Sequence, residues 1–98
     1  MSFIQIIDAR TKNVDEITAL DKQYQQDTAG RTTFRRSIVC RDRNDPERHL
    51  IIVFFDSYES AMENSNLPET GALAEKMMAL VDGEPSFIDL DIVEDQSF

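Results

Sequence analysis

Residues with specialised chemistry are scarce in this sequence. It holds no Trp, one His, one Cys and three Gly among 98 residues. A single Cys excludes an intramolecular disulfide, and without paired Cys or His residues no metal-binding spacing exists. No Gly-rich phosphate loop is present, so no nucleotide or flavin cofactor is expected. No apolar run approaches the roughly 20 residues that span a bilayer, and the N-terminus has no basic segment before an apolar stretch. We therefore expect a cytoplasmic protein with no metal, cofactor or membrane span.

Positive charge is also in short supply. Ten Lys and Arg residues face nineteen Asp and Glu residues, and the net charge of −9 argues against nucleic-acid binding. Six of the ten basic residues nevertheless lie in one stretch: Arg31, Arg35, Arg36, Arg41, Arg43 and Arg48. Acidic residues cluster near the end of the chain: Asp89, Asp91, Glu94 and Asp95.

This asymmetry has two interpretations. The arginines could bind an anionic ligand, for which Arg36 is the best candidate because it lies on the more apolar side of its predicted strand. Alternatively, Arg35 and Arg41 pair with an aspartate of a partner subunit, either Asp89 or Asp91, and so set the register of association. We prefer the second interpretation.

The hydrophobic pattern divides the chain, taken as one domain over residues 1–98, into alternating strands and helices. Strand-forming residues predict strands over about 2–8, 32–43, 48–55 and 88–92. Helical periodicity predicts helices over about 14–29 and 69–82, with N-capping at Asn13 and a short helix beginning near Asp56. The order is β-α-β-β-α-β, which is typical of an α+β, ferredoxin-like fold with an antiparallel sheet. Right-handed crossovers then place the first and third strands in the centre.

The third predicted strand gives the clearest indication of the oligomeric state. The run from His49 to Phe55 is apolar on both of its faces, whereas a half-exposed strand should alternate. Two helices can cover only one face of the sheet in so small a protein. The remaining apolar face predicts a homodimer that packs sheet against sheet.

Local motifs add a resemblance to a known family. Asp45-Pro46-Glu47-Arg48 precedes an aromatic strand, and Phe55-Asp56-Ser57-Tyr58-Glu59-Ser60-Ala61 opens a helix that runs to Leu67-Pro68. In these features the chain resembles the dimeric α+β barrel superfamily and, within it, the antibiotic-biosynthesis-monooxygenase-like families. The resemblance implies a dimer with a small-molecule pocket between sheet and helices. Some members oxidise quinol-like aromatics without a cofactor, and others degrade haem.

The chain departs from the family where chemistry is expected. Val53 and Phe55 stand where family strands frequently carry Glu and Trp, and the lack of any Trp counts against the haem-degrading branch. The usual helix His is replaced by a residue near Asn64 or Ser65.

Few residues qualify as site residues. His49 is the only histidine, so imidazole acid–base catalysis must use it, although a lone His at a strand start is more often structural. Tyr24 could hydrogen-bond a ligand oxygen, but core packing needs no ligand and explains it better. Ser65 lies on the predicted inner stripe of its helix, together with Tyr58 and Met62, and Asn64 lies off it, so Ser65 is the better pocket-facing candidate.

Two functions remain open. The first is a small-molecule-binding dimer that oxidises an aromatic or quinol-like metabolite without a cofactor. There His49 acts as the base, and Tyr24, Ser65 and Arg36 position the substrate. The second is a non-catalytic accessory or stress-related dimer that at most binds hydrophobic metabolites. A polar-lined cavity reachable from solvent, with His49 or Arg36 pointing into it, would favour the first function.

Overall fold

The computed structural model describes residues 2–98 as one four-stranded antiparallel sheet with three helices. The elements are β1 (Phe3–Arg10), α1 (Val14–Asp27), β2 (Phe34–Asp42), β3 (Asp45–Phe55), α2 (Tyr58–Ser65), α3 (Pro68–Met78) and β4 (Ser86–Asp91). The strand order β2-β3-β1-β4 places the first and third strands in the centre. This confirms the predicted ferredoxin-like α+β fold, with the second helical segment divided into α2 and α3 at Pro68.

Strand β3 begins earlier than the sequence pattern predicts. Asp45 already pairs with Asp42 of β2. The turn predicted over residues 44–47, between the two strands, is therefore reduced to Arg43 and Asn44. The main-chain oxygen of Glu47 accepts a hydrogen bond from the Thr11 amide at 2.8 Å. This contact with the end of β1 keeps the segment extended, which local turn propensity does not reveal.

Helix boundaries also depend on contacts between distant residues. Asn13 is the N-cap of α1 as predicted, but its side chain makes no capping hydrogen bond. Its side-chain amide donates instead to the main-chain oxygen of Leu80 at 3.4 Å. Helix α3 ends at Met78, although its predicted end was near residue 82. The Asp82 amide donates to the main-chain oxygen of Arg10 at 2.7 Å, and this bond draws the chain back to the sheet.

The sheet has one face covered by helices and one open face. Strand register places Gln5, Ile51 and Val53 on the covered face, where Phe3, Phe55 and Ala61 form the buried core. Within residues 2–98 no helix covers the opposite face. Its apolar residues are Ile4, Ile6, Ile38, Cys40, Leu50, Ile52, Phe54, Ile88 and Leu90. We refer to this set as the open face.

The arginine–aspartate pairs predicted between subunits do not fit this geometry. Arg35 instead pairs with Asp56 of the same chain, with its Nη2 2.6 Å from Oδ2. Arg41, Asp89 and Asp91 all lie on the covered face, because they pair in register with His49, Gln5 and Phe3. Their side chains therefore point away from a sheet-to-sheet interface. Residue order alone does not distinguish the two faces of an edge strand.

Candidate ligand-binding cleft

A cleft runs between the covered face of the sheet and helices α1 and α3. Its larger part has a volume of about 360 Å³ and contains His49, so we call it the His49 chamber. Its smaller part has a volume of about 120 Å³ and contains Tyr24, so we call it the Tyr24 chamber. The larger chamber opens near Phe87 of β4 and Met78 of α3, whose side chains are largely exposed although they line it.

His49 is buried at the edge of this cleft, with 5% of its surface exposed. It pairs in register with Ala9, whose small side chain lies on the same face. Nδ1 of His49 lies 3.0 Å from the main-chain oxygen of Glu47. A carbonyl oxygen can only accept, so Nδ1 carries the proton in this bond. In the neutral ring, Nε2 is then an acceptor with a free lone pair.

Nε2 of His49 has no hydrogen-bond partner within residues 2–98, although it is buried. An unpaired buried polar atom costs free energy comparable to a lost hydrogen bond, so such atoms are rare in folded proteins. A ligand with a hydroxyl group could satisfy this atom from the cleft. The arrangement can therefore accept a hydrogen bond or a proton from a bound molecule.

The main-chain oxygen of Glu47, which orients His49, is itself fixed by hydrogen bonds. The Glu47 oxygen also accepts the Thr11 amide at 2.8 Å, and Thr11 is 2% exposed. Oγ1 of Thr11 donates to the Leu80 oxygen at 2.7 Å and accepts the Asn13 amide at 2.9 Å. These bonds join the ends of β1, β3 and the α3–β4 connection, so the imidazole is oriented by main-chain structure.

Tyr24 belongs to a closed ring of hydrogen bonds. Oγ1 of Thr70 donates to the Asn64 main-chain oxygen at 2.7 Å, so its proton is committed. The Tyr24 hydroxyl must then donate to Thr70 Oγ1, also at 2.7 Å. The Asn64 side-chain amide completes the ring by donating to the Tyr24 oxygen at 3.1 Å. Tyr24 therefore connects α1 with α2 and α3, and its hydroxyl proton is not available to a ligand.

Asn64 faces inward, contrary to the prediction from helical periodicity. It is 8% exposed, and with Ala61 it forms the buried side of α2. Tyr58 and Met62, predicted on the inner stripe, are exposed. Ser57, one residue after the predicted capping position, is the N-cap and accepts the Ser60 amide. The eight-residue helix is therefore rotated relative to the predicted stripe.

Ser65 lines both chambers, as its position on the predicted stripe suggested, although its residue surface is exposed. Arg36 is not brought to the cleft. Its guanidinium carbon lies 5.5 Å from the centre of the Phe54 ring on the open face. The sheet therefore separates Arg36 from His49. The cleft is lined by His49 in its larger chamber, by Tyr24 and Asn64 in its smaller chamber, and by Ser65 in both.

The cleft holds no positive side chain to balance an anion. Among residues 2–98, neither chamber is lined by Lys or Arg, and Asp21 of the Tyr24 chamber is the one ionisable carboxylate. Burying an uncompensated charge is costly, so this lining favours an uncharged ligand.

Within residues 2–98 no three His, Cys, Asp or Glu side chains group as metal ligands. None of the helices in this range has the length and apolar character to cross a membrane.

Arg10 and Asp45 hold the start of β3 against β1. Nη2 of Arg10 donates to Oδ1 of Asp45 at 3.2 Å, and Nη1 contacts Oδ2. Arg10 also reaches Glu47 Oε2 at 3.5 Å. The hydrogen bond from Arg10 lowers the pKa of the Asp45 carboxyl. This ion pair therefore stabilises the start of β3, where the main-chain oxygen of Glu47 accepts the hydrogen bond from His49.

Solved structures share this fold at low sequence identity. SnoaB, a cofactor-independent oxygenase from Streptomyces nogalater, matches with a TM-score of 0.80 and 12% identity, covering 96% of this chain and 95% of that one. An antibiotic biosynthesis monooxygenase matches with a TM-score of 0.73 and 14% identity, covering 94% and 99%. A conserved protein from Methanosarcina mazei Go1 matches with a TM-score of 0.79 and 13% identity, covering 92% and 91%. No protein-family model and no curated protein matches the sequence.

At these identities the likeness shows the fold alone. The chain has the ferredoxin-like fold of antibiotic-biosynthesis-monooxygenase-like proteins, which confirms the resemblance seen in the sequence at that level. Val53 lines the Tyr24 chamber, and Phe55 packs in the core.

Proposed function

We propose that this protein, which has the fold of antibiotic-biosynthesis-monooxygenase-like proteins, binds an uncharged, weakly acidic small molecule in its cleft. The observation that carries the proposal is the buried, unpartnered Nε2 of His49 at the apolar cleft. A ligand hydroxyl donates to Nε2, and its apolar body replaces water along the aliphatic walls. Apolar lining with one convergent polar group is the usual composition of a small-molecule site.

The same geometry supports a catalytic extension. Oxidation of an aromatic or quinol-like metabolite without a cofactor requires a base that takes a proton from the substrate, and His49 is the base available. The resulting electron-rich anion supplies the electrons itself. One oxygen atom of O2 becomes a carbonyl oxygen on the oxidised ring carbon, and the other leaves as water with the proton taken from the hydroxyl group and the hydrogen lost from that carbon. SnoaB is called a cofactor-independent oxygenase, and it is similar in fold.

A non-catalytic accessory dimer is the second candidate function. Val53 and Phe55 favour it, because neither side chain can position a substrate by hydrogen bonding. In this alternative the cleft binds a metabolite and releases it unchanged. Oxygen consumption during incubation with a bound hydroxylated aromatic separates the two functions.

We further propose that the open face joins two copies of the chain. Its nine apolar residues span all four strands, and two of them, Ile88 and Leu90, are 43% and 42% exposed. A contiguous apolar surface of this kind is unusual on a monomer. Ion pairs between Arg48 and both Asp8 and Asp42 lie at one end of the face and give it a polar rim.

The binding proposal is tested with 2-naphthol and its methyl ether, because the chain lacks Trp and leaves naphthalene fluorescence unobscured. The ether has a similar body but no hydroxyl proton. We expect the wild type to bind 2-naphthol about fivefold more tightly, since one buried hydrogen bond contributes about 1 kcal/mol. His49→Leu should remove this preference, and the control Lys22→Ala should keep it. Equal binding of both compounds by the wild type, or an unchanged preference in His49→Leu, would overturn the proposal.

A further inference from the structure

The two chambers of the cleft share part of their apolar wall. Six apolar residues line both: Ile7, Ile17, Val39, Ile51, Leu73 and Met77. A shared wall means that the chambers are neighbours, separated only by side chains. The sheet and both long helices contribute side chains to this boundary, so a ligand that crosses it contacts both layers.

The polar ends of the chambers differ. His49 lines only the larger chamber, whereas Tyr24 and Asn64 line only the smaller one. The hydrogen bonds of Tyr24 and Asn64 are already satisfied within their ring. The unsatisfied acceptor, Nε2 of His49, therefore belongs to the larger chamber. The Tyr24 chamber, which is the far chamber from His49, offers mainly apolar contact.

We infer that the cleft accepts one elongated ligand, with a hydroxylated ring at His49 and an unbranched apolar chain that enters the Tyr24 chamber. This inference rests on the proposed function and specifies the shape of its ligand. Met77 is the residue that sets the permitted chain length.

Met77 is assigned this role by its chemistry and its position. Among the six shared apolar residues it alone is unbranched, so it can change rotamer where Ile and Val cannot. It extends from α3 and is only partly buried, so its side chain has room to move. Ile17 on the facing helix is 6% exposed and packed in place. The boundary therefore has one adaptable side and one rigid side.

The volume of the far chamber limits the chain. A water-sized group occupies about 30 Å³, and a methylene group is similar in size. A volume of about 120 Å³ thus has room for about four methylene groups. Each buried methylene should tighten binding about fourfold until this space is filled.

The test is a homologous series of 4-alkylphenols, from methyl to octyl, with affinities measured by displacement of the uncharged dye N-phenyl-1-naphthylamine. For the wild type we expect affinity to rise with chain length and then reach a plateau. Met77→Phe should move the plateau to shorter chains, and because Met77 also lines the His49 chamber, each homologue is compared with 4-methylphenol in the same variant. The matched control is Met62→Phe, because Met62 is an exposed helix methionine that lines neither chamber.

A second variant fills the far chamber from the opposite wall. Ser37 lies on edge strand β2, is exposed, and lines only the Tyr24 chamber, so Ser37→Phe should shorten the plateau without disturbing the core. Binding of 4-methylphenol with no gain for longer homologues would overturn the elongated ligand and leave the proposed function intact. An unchanged plateau in both Met77→Phe and Ser37→Phe would also overturn it. Failure of every phenol to bind the wild type would reject the proposed function itself.

Discussion

Nδ1 of His49 donates a hydrogen bond to the main-chain oxygen of Glu47 at 3.0 Å, and in the neutral ring this bond leaves Nε2 as the unprotonated nitrogen. The donor's partner is a main-chain atom, so a side-chain substitution at Glu47 leaves the tautomer in place. The orientation of the ring depends instead on the pairing of the ends of β1 and β3. Catalytic and binding histidines commonly need such a second partner to define their tautomer.

Removing the Tyr24 hydroxyl should destabilise the fold. Tyr24→Phe leaves Asn64 Nδ2 and Thr70 Oγ1 without one partner each in a buried setting. We expect the free energy of unfolding to fall by about 1–3 kcal/mol in urea titrations. Tyr58→Phe is the matched control, because Tyr58 is 51% exposed, and its effect should stay within about 0.5 kcal/mol. Equal effects of the two substitutions would contradict the ring.

A charge placed on the open face should prevent dimerisation. Ile52 lies on central strand β3, so Ile52→Glu would bury a carboxylate in the proposed interface. We expect sedimentation velocity to show a dimer for the wild type and a monomer for the variant. Met62→Glu, a charge on the exposed side of α2, should remain dimeric.

The thiol of Cys40 offers an independent measurement of the same surface. Cys40 shares the open face with Ile52 and is the only cysteine. A dimer should protect it from a thiol reagent, and Ile52→Glu should accelerate the reaction. A monomeric wild type at micromolar concentration, with a readily modified Cys40, would contradict the interface.

Acid should weaken the fold partly through Asp45. The hydrogen bond from Arg10 lowers the pKa of Asp45 in the folded protein. As pH falls below about 4, the unfolded chain takes up the proton first, so this contribution is present above that pH and lost below it. Asp45→Asn should therefore flatten the decline of unfolding free energy between about pH 4 and about pH 2. Glu75→Gln, at an exposed position of α3, should leave the decline unchanged.

A second ion pair should respond to acid in the same direction. The hydrogen bond from Arg31 lowers the pKa of Glu69, so Glu69→Gln should also flatten the acid decline. Arg31 and Glu69 lie in the connection after α1 and in the first turn of α3. Because they are distant from Arg10 and Asp45, the effects of the two substitutions should add. A double variant no flatter than either single variant would contradict independent ion pairs.

Periodicity in the sequence was sufficient to predict the strands and their order. The strand-forming runs of β1 and β3 and the crossover rule predict two central strands, and the structure confirms this order. The orientation of short helix α2 was not predictable in the same way. Its eight residues contain too few turns to define an apolar stripe, and Asn64 is buried because Tyr24, forty residues away, supplies its partner.

The sequence by itself determined the element order, the doubly apolar strand β3 and the presence of a single imidazole in the chain. Only the tertiary structure decided that His49 faces the helices while Arg36 faces away from them. Side-chain alternation shows which residues of one strand share a face, and it cannot show which face the helices cover. The register of β3 with β1 and β2, together with the packing of α1 and α3, makes that choice and so separates the cleft from the open face.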